Sequence, residues 1–475
     1  AISTADLFCL ERRCCMKWNN LSLHKIKWIC SFIVVLLPFF CSISNVFQKY
    51  LAVTLWAIMM WMFELLPEEF VAIMLPGLYI LFDITNYATA FSAWTTSTPW
   101  ITLGGLMIGG MIVKSGLVLR IAYKSLLLTK GSLKGIVWGI VLTCTIFTPL
   151  IPSIMAKVAL LVPVVIGICK VLKVEAKSAT ASALMLVVFF ALWSPKMAFM
   201  TASTDSILTA GILEQYLGVK ITWLAWAKDM FIPGILWMLV SIPLIYILRP
   251  QHLNLNKEYL KIEYRKLGKI TIDEKKTVTL ITALLILLIF SSWHKLPEGV
   301  LMLGIGCLGF FPGIGLLKSD DFSKIQFKVV FFLAGAVTIG AVASSIGITE
   351  SVINFVQPYF EQMNSYELVM SIYIFSILAN FLLNPLALIA TLMIPIANLC
   401  SNLGYSATIG GYSMIMGFNQ ALFPYEIAPL MLVYGFGYLK LTHLIKVMVF
   451  RVVAGIIFMT VVTYPYWLYI GLLDK

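Results

Sequence analysis

Three charged side chains lie within strongly apolar stretches of this chain. Lys157 is inside an apolar run, and Lys196 and Glu426 each stand one or two positions after a proline. A charge in the middle of a bilayer costs roughly 2.5–3.5 kcal/mol on insertion scales, so such residues usually pair with one another or line a pathway. These three positions are therefore the first candidates for function.

The lysines and the glutamate predict different chemistry. Lys157 and Lys196 would supply fixed positive charge for an anionic substrate, because a carboxylate needs counter-charge in a low-dielectric site. The alternative for Lys157 is a side chain that extends to the cytoplasmic interface. Glu426 would be a proton-coupling carboxylate, since burial favours the neutral form of such a group. The alternative is a permanent ion pair with a lysine, and Lys196 could meet it near a two-fold axis between two halves of the chain.

Polar residues gather beside the prolines that interrupt the apolar segments. The predicted substrate-binding residues are Ser153, Lys157, Lys196, Ser203, Thr204, Asn380, Asn384, Thr391, Asn419 and Gln420, and the predicted coupling residues are Glu426 and Asp205. Each polar side chain taken alone is more often a hydrogen bond between helices, but together they would line a binding site. The sequence has no metal-ligand spacing and no cofactor motif, so no cofactor is expected. Sodium and a proton are the two candidate coupling ions.

The composition is that of a membrane protein. Of the 475 residues, 60% are hydrophobic and 12% are charged, and the mean hydropathy is +0.95, whereas a soluble domain carries about 25% charged residues. The net charge of +12 (34 basic less 22 acidic residues) lies between apolar segments, which indicates membrane topology and not nucleic-acid binding. No Ser/His/Asp set or phosphate-binding loop is present, so an enzyme is not expected. The expected partners are the lipid bilayer and a small anionic molecule.

The charge between the apolar segments predicts the orientation. Residues 1–27, 114–134 and 249–276 are basic, which places them and the N-terminus in the cytoplasm by the positive-inside rule. Asp83–Pro99 and Gly347–Glu367 contain no Lys or Arg and are expected outside, as is the C-terminus. Residues 1–27 are interpreted as a cytosolic tail without a cleavable signal peptide, in a protein of the cytoplasmic membrane.

A set of landmarks occurs twice, about 230 residues apart. The first copy contains Leu103-Gly104-Gly105, Gly110, Ser115, Ser153, Pro163, Pro195 and Gly218, and the second contains Leu333-Ala334-Gly335, Gly340, Ser345, Pro385, Pro395, Pro424 and Gly437. Chance similarity between apolar stretches is the alternative, but the order and spacing hold across nearly the whole chain. Matching proline-interrupted segments in two membrane halves are typical of secondary transporters.

The duplication predicts an all-α polytopic membrane protein of about 11 spans, with two inverted-topology repeats, re-entrant hairpins and broken helices. Inversion is expected because the equivalent surface segments Ser115–Leu133 and Thr349–Glu367 carry opposite charge. The predicted parts are a first membrane half at 28–248 with a hairpin at about 143–169, a basic cytoplasmic linker at 249–276, and a second membrane half at 277–475 with a hairpin at about 379–400.

Four motifs resemble the divalent anion:sodium symporter family, and the resemblance covers nearly the whole chain. They are Trp61-Met62-Phe63-Glu64-Leu65-Leu66-Pro67, Trp100-Ile101-Thr102-Leu103-Gly104-Gly105, Gly116-Leu117 with Arg120-Ile121-Ala122, and Val433-Tyr434-Gly435-Phe436-Gly437-Tyr438-Leu439. The resemblance implies a carrier of dicarboxylates, citrate or sulfate that works by alternating access and forms homodimers through a scaffold domain. In this family each hairpin tip carries Ser-Asn-Thr, which touches the substrate carboxylates and helps to hold sodium.

The chain departs from the family at the hairpin tips. The first tip reads Ser153-Ile154-Met155, the second reads Asn384-Pro385-Leu386-Ala387, and the second broken helix reads Ile427-Ala428-Pro429-Leu430. The expected function is a secondary active transporter of a small anion, most plausibly a di- or tricarboxylate, with sodium coupling left open. The alternatives are a transporter of a neutral or zwitterionic metabolite and a non-transporting membrane receptor on the same fold.

Overall fold

The computed structural model describes residues 25–63, 65–129, 131–218, 221–253, 255 and 257–474. Within these ranges all regular secondary structure is helical and there is no β-strand, as the sequence predicts. The prediction of a cytosolic tail at residues 1–27 lies almost entirely outside the described residues.

The first half and the linker contain the following helices. They are α1 (25–36), α2 (Asn45–Met62), α3 (Glu68–Leu81), α4 (Ser97–Lys114), α5 (Leu117–Leu128), α6 (Leu133–Phe147), α7 (Ile154–Val171), α8 (Ala179–Trp193), α9 (Thr204–Leu217), α10 (Trp223–Ser241) and, in the linker, α11 (Lys257–Lys266). Short helical turns occupy Leu37–Phe40, Tyr87–Ala90, Ser92–Thr95, Ser194–Ala198, Met200–Ala202 and Ile242–Leu248.

The second half repeats this plan. Its helices are α12 (Ile272–Ile289), α13 (Glu298–Leu308), α14 (Phe327–Ile346), α15 (Ile348–Val356), α16 (Ser365–Ala379), α17 (Pro385–Asn402), α18 (Ala407–Phe418), α19 (Ala428–Gly435), α20 (Leu441–Phe458) and α21 (Tyr464–Tyr469). Short turns occupy Ser291–His294, Ser319–Phe322, Gln357–Tyr359 and Pro424–Glu426, and a π-helical segment, Met459–Thr463, joins α20 to α21.

Several helices are long and apolar enough to cross a membrane. In the described part of the chain these are Ile154–Val171, Ala179–Ala198, Trp223–Leu248, Phe327–Ile346, Pro385–Asn402 and Leu441–Tyr469, with α4 and α5 as a further span bent by 65°. The apolar helices α6, α13 and α16 have only 15, 11 and 15 residues, and a straight span needs roughly 20. The number of about 11 spans therefore stays a prediction.

The equivalent helices α4 and α14 run in opposite directions. Lys114, the last residue of α4, forms an ion pair with Asp321, which precedes the start of α14. At the opposite end, the hydroxyl of Thr338 in α14 donates a 3.1 Å hydrogen bond to the carbonyl of Ala90, which precedes the start of α4. The two repeats are therefore inverted, as predicted.

Four helices, α3, α4, α13 and α14, pack across the two halves and are called the scaffold helices here. A β-carbon added to Gly104 of α4 would lie 2.3 Å from the backbone of Met302 in α13, and one added to Gly335 of α14 would lie 2.3 Å from the backbone of Ala72 in α3. Both α3 and α13 begin after Leu-Pro and with Glu, at 66–68 and 296–298. The packing is therefore reciprocal, because each half supplies a glycine-bearing helix to the other.

Each hairpin consists of two helices separated by a break at proline. The first joins α6 to α7 through residues 148–153, and the second joins α16 to α17 through residues 380–384. The predicted bounds contain the breaks and the second arms but omit most of α6 and α16, because these arms are apolar and free of proline. The second arms also pack reciprocally, α7 against α19 and α17 against α9.

The broken helices lie at the centre of the protein. Every residue from Thr180 to Ala198 is buried within the chain. Pro195 cannot donate to the helical ladder, so the backbone passes through two short turns and extended Ser203 before α9 begins. In the second half α18 ends at Phe418, and α19 begins only after the turn at Pro424. Proline thus interrupts the first helix directly, and in the second half it lies in the turn that precedes α19.

The basic linker is fastened to α5 by Arg120. Its Nε donates to Glu274 at 2.6 Å, and its terminal nitrogens donate to the carbonyls of Leu267, Gly268 and Lys269 at 3.0–3.2 Å. Additional hydrogen bonds of this kind are what make a buried ion pair tolerable. The cytoplasmic position of the linker stays a prediction.

Candidate functional site

The breaks of both hairpins and of both broken helices meet at one cavity of about 320 Å³. The hairpin tips contribute residues 152–155 and 384–386, and the broken helices contribute residues 204–205 and 426–429. The remaining lining residues are Glu68, Leu106, Trp193, Gln326, Lys328 and Val329. Cavities of roughly 300–1,000 Å³ hold small organic ligands, so this cavity fits a metabolite.

Four helices, α7, α9, α17 and α19, have their N-termini at the cavity. The first-turn N–H groups of a helix have no acceptor within the helix, and together they carry a partial positive charge. Helix N-termini therefore bind anions readily. Convergence of four such ends makes the cavity a favourable environment for negative charge.

The two hairpin helices present neutral caps to this cavity. The Ser153 hydroxyl accepts a 3.2 Å hydrogen bond from the N–H of Ala156, and the Asn384 side-chain oxygen accepts a 2.9 Å hydrogen bond from the N–H of Ala387. These bonds leave the N–H groups of Ile154 and Met155 in α7, and that of Leu386 in α17, for another acceptor, since Pro385 has no N–H. The hairpin tips are therefore the positions where an anion from outside the chain would be stabilised.

The two broken helices instead carry their own carboxylates. Asp205 lies in the first turn of α9, and Glu426 lies two residues before the start of α19. Negative charge at a helix N-terminus is stabilising. Each of these two ends thus already has a carboxylate of the chain beside it.

The first broken helix contains a buried ion pair. Lys196 Nζ is bonded to Asp205 and lies 3.3 Å from the centre of the Trp193 ring. Lys157 is also buried, at 1% exposure, and donates a 3.2 Å hydrogen bond to the Ala202 carbonyl in the unwound segment. Lys157 therefore turns into the protein instead of extending to the interface.

The second broken helix has a carboxylate held by neutral donors. Glu426 Oε1 accepts from the N–H groups of Leu422 and Phe423 at 3.0 and 2.7 Å, and Oε2 accepts from the Asn380 amide at 3.1 Å. Glu426 is 3% exposed and faces the cavity. The predicted meeting of Glu426 with Lys196 is wrong, because the lysine is paired nine residues along its own segment with Asp205.

A buried arginine donates hydrogen bonds at the C-terminal ends of α8 and α18, the helices that precede the two breaks. Arg451 donates to the carbonyl and side-chain oxygen of Asn419 at 2.7 and 2.6 Å, to Gln420 at 3.2 Å and to Ser194 at 3.1 Å. Trp193 and Asn419 also exchange hydrogen bonds of 2.9 and 3.0 Å. These groups, called the central clamp here, place a cation at two helix C-termini, where positive charge is favourable.

The structure brings together some of the predicted site residues and separates others. Ser153, Thr204, Asp205, Asn384 and Glu426 line the cavity. Lys157, Lys196, Ser203 and Asn380 are buried behind this lining, and Asn419 and Gln420 belong to the central clamp. Thr391 donates to the carbonyl of Ala387 one turn earlier in α17 and is absent from the lining.

Sequence reasoning missed Glu68, Gln326, Lys328 and Arg451. The first three line the cavity. The repeated Leu-Pro-Glu at 66–68 and 296–298 was the available signal for Glu68. For Arg451 the signal was a charge in the middle of an apolar run of α20, between Phe450 and Val452.

A second cavity, of about 400 Å³, adjoins the first and shares Leu106, Ser153 and Gln326 with it. Lys114, Asp321 and Lys324 line it. Asp321 is bonded to Lys114 and lies 3.5 Å from Lys324, and the Lys114 ammonium lowers the pKa of Asp321 to about 2. This cavity lies beside basic residues that the sequence assigns to the cytoplasmic side, and would connect the first cavity to that side.

Two inverted membrane repeats whose interrupted helices meet at a solute-sized cavity define a secondary transporter. The transmembrane region of the sodium:sulfate symporter family matches residues 18–473, so the chain belongs to that family. This confirms the resemblance found in the sequence. Members of the family are transporters, which agrees with the prediction that the chain is not an enzyme.

Two of the curated relatives are named as carriers of organic acids. Dicarboxylate transporter 1 of the spinach chloroplast is 27% identical over 226 residues, which cover 46% of this chain and 40% of that protein. The chain thus spans about two fifths of that relative. The L-tartrate/succinate antiporter of Escherichia coli K12 is 22% identical over 417 residues, which cover 80% of this chain and 82% of the antiporter.

A solved structure has a similar fold. The crystal structure of the YdaH transporter of Alcanivorax borkumensis matches with a TM-score of 0.54 and 15% identity, over 84% of this chain and 90% of that one. The likeness concerns the fold.

Proposed function

We propose that this protein is a secondary active transporter of a small dicarboxylate, driven by protons. The observation that carries the proposal is the convergence of two neutral-capped helix N-termini, at Ser153 and Asn384, on a metabolite-sized cavity. A dicarboxylate has one anionic group for each tip. The names of the relatives, a dicarboxylate transporter and a tartrate/succinate antiporter, support the same substrate class.

Fixed charge near the first tip would favour an anion. Lys157 and Lys196 are buried beside the first tip, and Lys196 compensates Asp205. Lys328 at the start of α14 adds a cationic side chain to the cavity wall. A fixed ammonium group can supply the counter-charge that relatives obtain from sodium, because both are cations in a low-dielectric setting.

Glu426 would be the proton-coupling group. It faces the same cavity as the substrate, and its charge is held by two backbone N–H groups and one amide instead of a cation. Its negative charge opposes binding of a dianion in the cavity. Protonation of Glu426 removes that repulsion, so a proton and the substrate would bind together.

The test is uptake of radiolabelled succinate into proteoliposomes under an imposed pH gradient. Uptake by the wild type should persist when choline replaces sodium. Glu426→Gln should retain exchange of internal for external succinate but lose accumulation driven by the pH gradient. Glu350→Gln, a substitution of an exposed carboxylate on α15, is the matched control and should accumulate succinate like the wild type.

Other results would contradict parts of the proposal. Loss of uptake in choline would make sodium the coupling ion. Undiminished pH-driven accumulation by Glu426→Gln would exclude Glu426 as the coupling group. Binding without flux would favour a receptor on the same fold.

A second candidate substrate is a neutral or zwitterionic metabolite. Glu68, Asp205 and Glu426 all line the cavity, and three carboxylates would suit a substrate that carries an ammonium group. A thermal-shift screen of purified protein with carboxylates, sulfate and amino acids separates the candidates. Stabilisation by amino acids alone would replace the dicarboxylate with a zwitterion.

We also propose a homodimer in the cytoplasmic membrane, with the N-terminus in the cytoplasm and the C-terminus outside. The basic segments and the family relationship support this arrangement. Light scattering of the detergent-solubilised protein and labelling of cysteines placed at each terminus test it.

A further inference from the structure

Glu68 places a carboxylate of the chain itself on the second hairpin tip. Its Oε1 accepts a hydrogen bond of 2.6 Å from the Asn384 side-chain amide. The two residues are 316 positions apart in the sequence and belong to different halves. Both line the cavity.

The backbone of Glu68 and the side chain of Asn384 are each held by a further hydrogen bond. The carbonyl of Glu68 accepts a 3.3 Å hydrogen bond from the Trp61 ring nitrogen, and α3, which begins at Glu68, packs on α14. On the hairpin side, the Asn384 side-chain oxygen is engaged in capping α17. The side-chain amide nitrogen of Asn384 therefore remains as a donor toward the cavity. The Glu68 carboxylate accepts the hydrogen bond from it.

The matching glutamate of the other half behaves differently. Glu298 occupies the position of Glu68 in the repeat, yet its carboxylate accepts from the backbone N–H of Trp223 at 3.4 Å. Its side chain is 8% exposed, and it is not part of the cavity lining. Only the second of the two tips therefore has a chain carboxylate hydrogen-bonded to its capping residue, among the residues that the structure describes.

We propose that Glu68 is an internal competitor for the second tip, which a substrate carboxylate must displace. The inference rests on the proposed function, because it assumes that the tips bind carboxylates. A dicarboxylate uses both tips and has to remove Glu68 from Asn384. A monocarboxylate binds at the first tip alone and leaves the Glu68 contact intact. Glu68 thereby sets the affinity for the second carboxylate of the substrate.

The test is the affinity of purified protein for succinate and for the monocarboxylate butyrate, measured by isothermal titration in detergent. Glu68→Gln keeps the shape and replaces a charge-assisted hydrogen bond with a neutral one about half as strong. We expect it to bind succinate about tenfold more tightly, with a change of less than about twofold for butyrate. Glu69→Gln, the adjacent residue outside the cavity lining, should bind both ligands like the wild type.

A double substitution tests the mechanism. Asn384→Ser retains a capping hydroxyl for α17 but removes the amide that Glu68 accepts from. In that background Glu68→Gln should no longer tighten succinate binding. This cycle remains informative if Glu68→Gln lowers thermal stability, because the same substitution is then made in both backgrounds and its effect on stability is common to them.

Each outcome has a distinct meaning. Unchanged or weaker succinate binding by Glu68→Gln, with normal binding by the wild type, overturns the competitor role. Equal tightening for succinate and butyrate also overturns it, since the effect would then not depend on the second carboxylate of the substrate. Absence of any carboxylate binding by the wild type rejects the proposed function itself.

Discussion

The helix break of the first half and that of the second half have similar backbones but opposite charge. The first contains Lys157, Lys196 and Asp205, which sum to one positive charge. The second contains Glu426 with the neutral Asn380, which sum to one negative charge. Duplication has thus preserved the interruption of the helix while the charged groups inside it diverged.

The second half has no lysine at the positions that match Lys157 and Lys196. In the repeat register, Lys157 corresponds to Ile389 and Lys196 to Tyr425. Ile389 is buried in α17, whereas Tyr425 is 57% exposed. The first break therefore has an ion pair and a further lysine, whereas the second has a carboxylate held only by neutral donors. Under the proposed function, both hairpin tips hold the substrate, the first break adds positive charge beside it, and Glu426 in the second break couples it to the proton gradient.

Among the substitutions that compare the two breaks, replacement of Lys196 is expected to have the largest effect on thermal stability. Lys196→Met removes the partner of Asp205 and leaves a buried carboxylate unpaired, which costs about 3–5 kcal/mol. We expect the apparent Tm in detergent to fall steeply, and the additional change Asp205→Asn to restore most of the loss. Tyr425→Phe at the matching position should change the Tm little. A stable Lys196→Met protein would show that the first break does not depend on its ion pair.

The central clamp is the place where the two breaks are joined. Arg451→Met removes four hydrogen bonds from a charged donor to groups of both broken helices. We expect a loss of about 2–3 kcal/mol, in the range of single hydrogen bonds to charged groups, because the lost bonds are partly offset by relief of a buried charge. Lys446→Met, an exposed site on the same helix, is the control in thermal unfolding. An equal Tm for the two variants would contradict a clamp that holds both halves.

Replacement of Lys157 is expected to weaken substrate binding without lowering thermal stability. Lys157 has a single hydrogen bond, to the Ala202 carbonyl, so replacing it with Met should leave the Tm unchanged or raised. The fixed charge near the first tip would nevertheless be lost, and we expect the Kd for succinate to rise about tenfold. A lower Tm with unchanged Kd would mean that Lys157 is structural.

The smallest effect is expected outside both breaks, at Asp321. Its pKa is lowered to about 2 by the Lys114 ammonium, so the ion pair contributes stability above the unfolded pKa of about 3.9 and loses it only as the pH falls through about 2. The pair is partly exposed, and Asp321→Asn should cost about 0.2–1 kcal/mol. Thermal unfolding between pH 5 and 8 should show the same small difference at every pH, and a difference that grows with acidity would contradict this sign.

The interruptions of the fold could be predicted from the sequence because they are local. Proline removes a donor wherever it stands, so Pro195 and Pro424 mark the broken helices without knowledge of the tertiary structure. The register of the repeat likewise depends on spacing alone. The inversion followed from charges on two surface segments, and it agrees with the opposite directions of α4 and α14.

The partners of the charged residues could not be predicted, because they depend on irregular backbone and on distant packing. Lys196 reaches Asp205 across two short turns whose path no periodicity describes. Glu68 follows a proline at the start of a helix, which is typical of an interfacial residue, and only the packing between the halves brings it to Asn384. Arg451 lies among apolar neighbours in α20, and its partners come from both halves.

The most direct measurement of the central claim is a cryo-electron microscopy map of the protein in lipid nanodiscs with saturating succinate. The account predicts ligand density between the two hairpin tips, with one carboxylate at the N–H groups that follow Ser153 and the other at Asn384. Density bound elsewhere, with the cavity between the tips unchanged from the succinate-free map, would contradict it.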